Sequence, residues 1–398
     1  MKLRFITLVI LAAVVVSGCR KTATAPPPAA APNAPTSLPE LTQAQGGTTP
    51  APAVKYFKGS IGSSLDLQMK LVRADPQLSG SYYYQRIGTR INLRGTIDPD
   101  GKFVLDEFDS AGKQTGVFKG IWTLDAQDGA VKLAGFWAKV GANEKESDKT
   151  AAFSLHEQPI ALSGDAELSP KQIKESNKKS RYEIAAQYPQ LSGGSNPNFE
   201  KFNQAARAVV ARKVADFKKQ VAAEEGIQSV PDADATPEPS PEPSSGSDLT
   251  VEYEIALAQD DVISIEFNVS EYYQGAAHPN SYSEVINYDL KNGRQLKLSD
   301  LFKPGSKYLQ TLSSYAIADL KKQSKAKGDA LVDTEIQSGA GPKAENYDKW
   351  TITKNGVGID FDAYQVGPYA AGPWSVVVPY SNLKDLINPD GPIAQLTK

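Results

Sequence analysis

Cysteine occurs once in the 398 residues, at Cys19, and histidine twice, at His156 and His278. A single thiol excludes an internal disulfide, so packing must hold the folded parts together. So few thiols and imidazoles also exclude zinc sites built from several His or Cys ligands. Charge of either sign is not in excess, with 43 basic against 46 acidic side chains. Nucleic acid calls for a strongly basic face, so no nucleic-acid partner is expected. The chain has neither a G-x-S-x-G elbow nor a G-x-x-x-x-G-K-[ST] phosphate loop. Asp98-Pro99-Asp100-Gly101 brings carboxylates together, but its glycine stands fourth where an EF-hand loop places it sixth, so it reads as a turn. Beyond the N-terminal run, no stretch is long and apolar enough to span a bilayer. Together these absences give the expectation of a protein that is not an enzyme and uses no cofactor or metal.

The N-terminus is the most informative segment. Met1-Lys2-Leu3-Arg4 precedes an apolar run over 5–16, which ends in Val16-Ser17-Gly18-Cys19. A basic head, about a dozen apolar residues and small residues before a cleavage point make a secretory signal. Small-small-Cys resembles the lipobox of bacterial lipoproteins, with Val16 where leucine is usual. The resemblance implies a signal peptide over 1–19, lipidation of Cys19, and a membrane partner reached through that lipid. It implies a cell-envelope location facing away from the cytoplasm. Arg20 rather than Asp follows the cysteine, which in a host with two membranes implies the periplasmic side of the outer one. An ordinary signal peptide that contains a cysteine is the alternative.

Residues 20–53 are rich in Ala, Pro and Thr and read as a disordered, extended tether. From 54 to 157 the pattern becomes short alternating runs, such as Leu65-Asp66-Leu67-Gln68-Met69-Lys70-Leu71, separated by turn residues. Roughly eight strands are expected, closing into a small barrel or sandwich because a half-buried meander must cover its apolar face. Phe118, Trp122, Phe136, Trp137 and Phe153 are the expected core aromatics. Tyr82-Tyr83-Tyr84 reads either as a strand with tyrosines on both faces or as an exposed aromatic platform. Residues 158–180 are polar and read as a linker.

The rest, 181–392, reads as an α+β domain. A strand over 181–188 is expected to end at Pro189. A helix follows from Phe199, where Phe202, Ala206, Val210, Phe217 and Val221 recur at helical spacing. Its basic residues, Lys213 and Lys218 among them, read as a solvated face or a partner-binding one. The acidic, proline-rich segment 224–248 reads as a disordered insert. Strands over 249–257, 261–273 and 281–290, a helix over 307–325, strands over 350–352, 357–361 and 374–379, and a short helix over 380–387 complete the pattern. The expected fold is thus an N-terminal all-β meander followed by a C-terminal α+β domain.

Within that half stands Tyr272-Tyr273-Gln274-Gly275-Ala276-Ala277-His278-Pro279-Asn280, followed by a strand ending in Asp289-Leu290-Lys291-Asn292-Gly293. Further on comes Ile359-Asp360-Phe361-Asp362-Ala363-Tyr364-Gln365-Val366-Gly367-Pro368-Tyr369. In this order the motifs resemble the C-terminal domain shared by RsiV-type anti-sigma factors, which sense lysozyme, and PdaC-type peptidoglycan deacetylases. Ala276 departs from the glycine usual there. The resemblance implies a binding module for a lysozyme-like glycosidase or for peptidoglycan. Two other readings stand beside it: a peptidoglycan-modifying enzyme, and a structural or assembly lipoprotein acting through protein contacts. The expected ligand-facing residues are Tyr273, Gly275, His278, Asn280, Tyr364 and Tyr369, because loops of Gly, Pro and Tyr on a rigid scaffold suit recognition.

Overall fold

Eight successive antiparallel strands close on themselves in the N-terminal part. The computed structural model describes residues 52–228 and 246–397, apart from Arg86, Gly88, Gln127, Asp128 and 142–144. Cys19, the signal and nearly all of the tether therefore lie outside the described residues. The barrel strands are β1 (Ala53–Ile61), β2 (Leu65–Ala74), β3 (Gln77–Tyr84), β4 (Ile91–Ile97), β5 (Lys102–Phe108), β6 (Gln114–Leu124), β7 (Val131–Val140) and β8 (Glu146–Gln158). Strand β8 pairs back onto β1, from Tyr56↔Gln158 to Ile61↔Phe153, so no edge is left open.

The barrel is filled rather than hollow. Phe118 meets Tyr82 and Phe153 edge-to-face at 5.5 and 5.2 Å, and Phe57 meets Trp122 at 5.6 Å. Phe136 corrects the expected core: it faces outward and is 59% exposed. Its register partner Lys119 faces the same way, and side chains alternate across a strand. The platform reading of the three tyrosines is also corrected. Tyr82 and Tyr84 turn into the barrel with their rings 5.3 Å apart, while Tyr83 turns out and donates to Gln68 Oε1 at 2.8 Å. A buried carboxylate sits at that end of the interior. Glu107 accepts from Tyr82 Oη at 2.7 Å, Thr115 Oγ1 at 2.6 Å and Trp137 Nε1 at 2.8 Å.

The expected linker 158–180 is instead part of the next sheet. Within it, β9 (Ile160–Ala161) and β10 (Glu167–Asn177) are followed by β11 (Tyr182–Ser192). Strand β10 pairs with β11 along its whole length. It is an edge strand, so lysines such as Lys171 and Lys174 can point to water, and the polar composition hides the strand. Pro189 does not end β11. Beyond Ala186 this strand has lost its parallel neighbour, and Pro189 lies opposite Pro170, so no matched donor is missing.

Helix α1 (Phe199–Gln228) buries Phe202, Ala206, Val210 and Phe217 against the sheet. It also corrects the expected insert, because 224–228 continue the helix. Ala222, Ala223, Glu224 and Glu225 are good helix formers. At the far end β12 (Ser247–Gln259) already starts at Ser247, pairing in parallel with Tyr182. Strands β13 (Val262–Tyr272), β14 (Asn280–Asp289) and β15 (Arg294–Gln295) complete a seven-stranded sheet. Lys213 pairs with Glu284 at 2.5 Å and Lys218 with Glu175 at 2.7 Å, so part of the basic face of α1 is engaged inside the molecule.

A second core forms where α2 (Tyr308–Ala326), the short α3 (Asp333–Gly339) and α4 (Tyr380–Leu383) cover three strands. These are β16 (Trp350–Ile352), β17 (Gly356–Phe361) and β18 (Trp374–Pro379). Helix α3 has only seven residues, too few to leave a periodic signal in the sequence. The short helix expected over 380–387 stops at Leu383. A buried polar bridge joins the two sheets. Ser264 Oγ donates to Asn287 Oδ1 at 2.6 Å and accepts from Ile352 N–H at 2.8 Å, while Asn287 Nδ2 donates to the Trp350 carbonyl at 2.7 Å. The chain is thus an all-β barrel followed by an α+β region, and among the described residues no helix is long and apolar enough to cross a membrane.

Candidate functional site

The β13–β14 connection and the segment after β17 meet at one end of the second sheet. Gly275 turns the connection with φ of 93°, a region that L side chains rarely adopt, and a Cβ there would meet nothing within 4 Å. The loop next to it is tied by one carbonyl. Pro279 O accepts from His278 Nδ1 at 2.8 Å and from Tyr369 Oη at 2.9 Å. The two rings stack with centroids 4.2 Å apart and planes 25° apart. Tyr364 extends the surface: its ring lies 5.5 Å from Tyr369, it is 70% exposed, and its φ is 73°. A tyrosine at positive φ is uncommon and costs backbone energy that its surroundings must offset.

Asp362 holds the second segment in place by accepting the Ser283 amide of β14 at 2.9 Å. Asn280 begins β14 and donates to Glu271 Oε1 at 3.2 Å. Tyr273 is placed elsewhere. Its ring packs on Phe217 of α1 at 5.3 Å and its hydroxyl donates to Glu271 Oε2 at 3.3 Å. Burial, followed by the Glu271 charge, pushes its hydroxyl above the usual tyrosine range. Of the six expected residues the structure gathers His278, Tyr364 and Tyr369 into one aromatic ledge. Gly275 and Asn280 flank it, and Tyr273 faces the helix. The anchoring roles of Pro279, Glu271 and Asp362 were not read from the sequence, although Pro279 and Asp362 lie inside the two motifs.

A ledge of this kind offers flat aromatic faces at a wet rim, with an imidazole edge beside them. Such a surface suits a ring with one apolar face and polar edges, as a pyranose has. Among the described residues no group of three or more His, Cys, Asp or Glu side chains is placed to hold a metal ion.

The comparisons with known proteins bear on this region. Residues 175–281 match the family described as "Deacetylase PdaC", and residues 299–381 match "Protein of unknown function (DUF3298)". The peptidoglycan-N-acetylmuramic acid deacetylase PdaC of Bacillus subtilis (strain 168) is 33% identical over 141 residues. That match takes in 35% of this chain and 29% of the relative, so the chain spans under a third of that protein's length. Two solved structures of DUF3298 proteins are similar. One, from Bacteroides fragilis, has a TM-score of 0.39 at 20% identity, covering 59% of this chain and 98% of the other. The second, from Pseudomonas aeruginosa, has a TM-score of 0.38 at 18% identity, covering 56% of this chain and 95% of the other. The expectation that the chain is not an enzyme is overturned here, because the relative that shares its module is named as a deacetylase. His278 falls in the first match and Tyr364 and Tyr369 in the second, so the ledge is assembled from both. The C-terminal half therefore carries a PdaC-like domain followed by one similar to DUF3298.

Proposed function

We propose that this protein works on peptidoglycan modification in the cell envelope, with the C-terminal half seating the glycan. The observation that carries the reading is the stacked His278–Tyr369 pair, extended by Tyr364, at the junction of the two matched domains. The relative named as a peptidoglycan deacetylase supplies the ligand class and favours an enzyme of glycan modification. In this reading the pyranose face lies on the ledge, and the polar edges around His278 and Asn280 meet its hydroxyl and amide groups. Lipidation at Cys19 would hold the module at the membrane surface, near the wall.

The test is sedimentation of the full chain with insoluble peptidoglycan, together with assay of acetate in the supernatant. Retention that His278→Ala or Tyr369→Ala abolishes, with the melting temperature lowered by no more than a few degrees, supports the ledge. Absence of both retention and acetate release would overturn the reading. Cys19→Ser is expected to release the protein from membranes. Wild-type protein found wholly in the soluble fraction would remove the tether from the proposal.

A further inference from the structure

A second feature lies away from the ledge, in the crease between the two sheets of the C-terminal half. A cavity of about 170 Å³ opens there, lined by Glu254 of β12, Glu266 of β13, Thr351 of β16, Gly358 and Asp360 of β17, and Ser375 of β18. Glu254 and Glu266 are direct register partners on adjacent strands, so two carboxylates share one face. Asp360 approaches them from the other sheet.

The inventory of cations around these carboxylates is short. Lys58, from barrel strand β1, reaches Glu254 at 3.6 Å. Lys213 and Lys349 are both taken up by Glu284 on β14. Glu266 has only the Ser283 hydroxyl, at 3.2 Å, and neither it nor Asp360 is paired with a cation among the described residues. Asp362, just beyond β17, is occupied by the Ser283 amide.

An independent observation points to a missing partner. Thr351 is 4% exposed, yet its hydroxyl has no hydrogen-bond partner among the described residues. It lines the cavity above Gly358, where a Cβ would stand 2.4 Å from Oγ1. The glycine therefore keeps open the space that the hydroxyl borders. The oxygen is not among the side-chain atoms closed off from solvent without a partner, so it stays open to the cavity, where a donor could reach it. Three acceptors thus border one small space: two carboxylates without a counter-ion and a hydroxyl oxygen. The carboxylates are not gathered closely enough to hold a metal ion. An ammonium group, with three donors on one nitrogen, fits separated acceptors better.

We propose that this cleft binds a primary ammonium group of peptidoglycan, from an amino sugar lacking its acetyl group or from the side-chain amine of a stem-peptide diamino acid. The inference rests on the peptidoglycan reading for the source of the amine, whereas the cleft's preference for ammonium rests on its own geometry. The cavity is sized for one head group rather than a strand of sugars. Burial and the neighbouring carboxylates push Asp360 upward, a repulsion that a bound cation would relieve.

The test is calorimetric titration of the full chain with three probes: a glucosamine tetramer, an N-acetylglucosamine tetramer, and a stem peptide carrying a free side-chain amine. The expected result is binding of an amine probe at least about tenfold tighter than the acetylated tetramer, lost by about tenfold or more in Asp360→Asn. Thr351→Val should weaken binding in the same direction. Asp360→Asn should still sediment, as the wild type does, with insoluble acetylated glycan that lacks stem peptides, which separates this site from the ledge. Sugar-only or peptide-only binding identifies the source, and either supports the site. Equal affinity for acetylated and amino tetramers with no binding of the peptide, or undiminished amine binding by Asp360→Asn, overturns it. Amine binding without any retention on peptidoglycan would instead leave the cleft standing and remove the glycan reading.

Discussion

Tyr369 donates its hydroxyl to the carbonyl of Pro279 at 2.9 Å, across 90 residues of sequence. That single contact fastens the segment after β17 to the β13–β14 loop, and it brings the phenol ring onto His278. The ledge therefore depends on a hydrogen bond as well as on stacking.

The two contributions separate in a pair of variants. Tyr369→Phe keeps the ring and removes the hydroxyl, so stability should fall by only about 0.5–1.5 kcal/mol. Glycan retention should fall moderately, because the ring is no longer fixed in register with His278. Tyr369→Ala should abolish retention with a similarly small stability loss, since the residue is half-buried at a rim. Equal retention by wild type and Tyr369→Ala would show that the ring does not contact glycan. Melting temperature and sedimentation on the same samples check both statements.

The bridge between the sheets is a stronger constraint on the fold. Ser264 and Asn287 are fully buried, and their side chains connect β13 and β14 to two backbone groups of β16. Ser264→Ala leaves the Ile352 amide without an acceptor, which should cost about 1–3 kcal/mol in urea unfolding. Ser264→Thr keeps the oxygen but adds a methyl group to a closed site, and overpacking typically costs about 1–3 kcal/mol. A loss below about 0.5 kcal/mol in Ser264→Ala would mean that water replaces the hydroxyl.

How far the sequence could be read depended on how local each signal was. The barrel was legible because Leu65 to Leu71 and their counterparts alternate with period two, and closure follows from the need to cover one face. Phe136 was misplaced because a one-residue change of phase reverses every side chain. Strand β10 was hidden because Lys171 and Lys174 on an edge look like a linker. The loops around His278 and Tyr369 could be picked out by composition, but their stacking is a tertiary contact. The acidic cleft was invisible for the same reason. Glu254 and Glu266 stand opposite each other on the two strands of a hairpin, and only the second sheet places Asp360 beside them.

The buried carboxylate of the barrel makes a prediction independent of any ligand. Glu107 accepts from Tyr82, Thr115 and Trp137, and Tyr82 is fully buried. Glu107→Ala strands the Tyr82 hydroxyl and opens a cavity, so a loss of about 1–3 kcal/mol or more is expected. Glu107→Gln should lose less, because one oxygen still accepts and the Thr115 hydroxyl can turn to accept from the new amide. If both substitutions cost the same, the carboxylate's charge rather than its geometry holds the network. Urea unfolding of the two variants distinguishes the cases.

Asp360 and Glu284 should divide the pH dependence of stability between them. Burial first, and then the charges of Glu266, Asp362 and Glu254, push the Asp360 carboxyl up to about 7. In an unfolded chain an aspartate titrates near about 3.9. Between those values the native state keeps a proton that the unfolded state has released, so stability falls as pH rises through the window. Glu266 is shifted upward by burial and acts in the same direction. Glu284 behaves oppositely. Burial pushes it up, but the Lys213 hydrogen bond and the charges of Lys349 and Lys213 hold it below the usual range. Its contribution is therefore present above its unfolded value of about 4.3 and is lost as pH falls through its folded value. Wild-type protein should be most stable in mild acid and weaken between about pH 4 and pH 7, the interval between the unfolded and folded values of Asp360. Asp360→Asn should flatten that decline and be the more stable protein at the alkaline end, while leaving the acid side unchanged. Urea unfolding at intervals across the range would show it. A decline that survives in Asp360→Asn would place the released proton on another group, and Glu266→Gln would be the variant to compare.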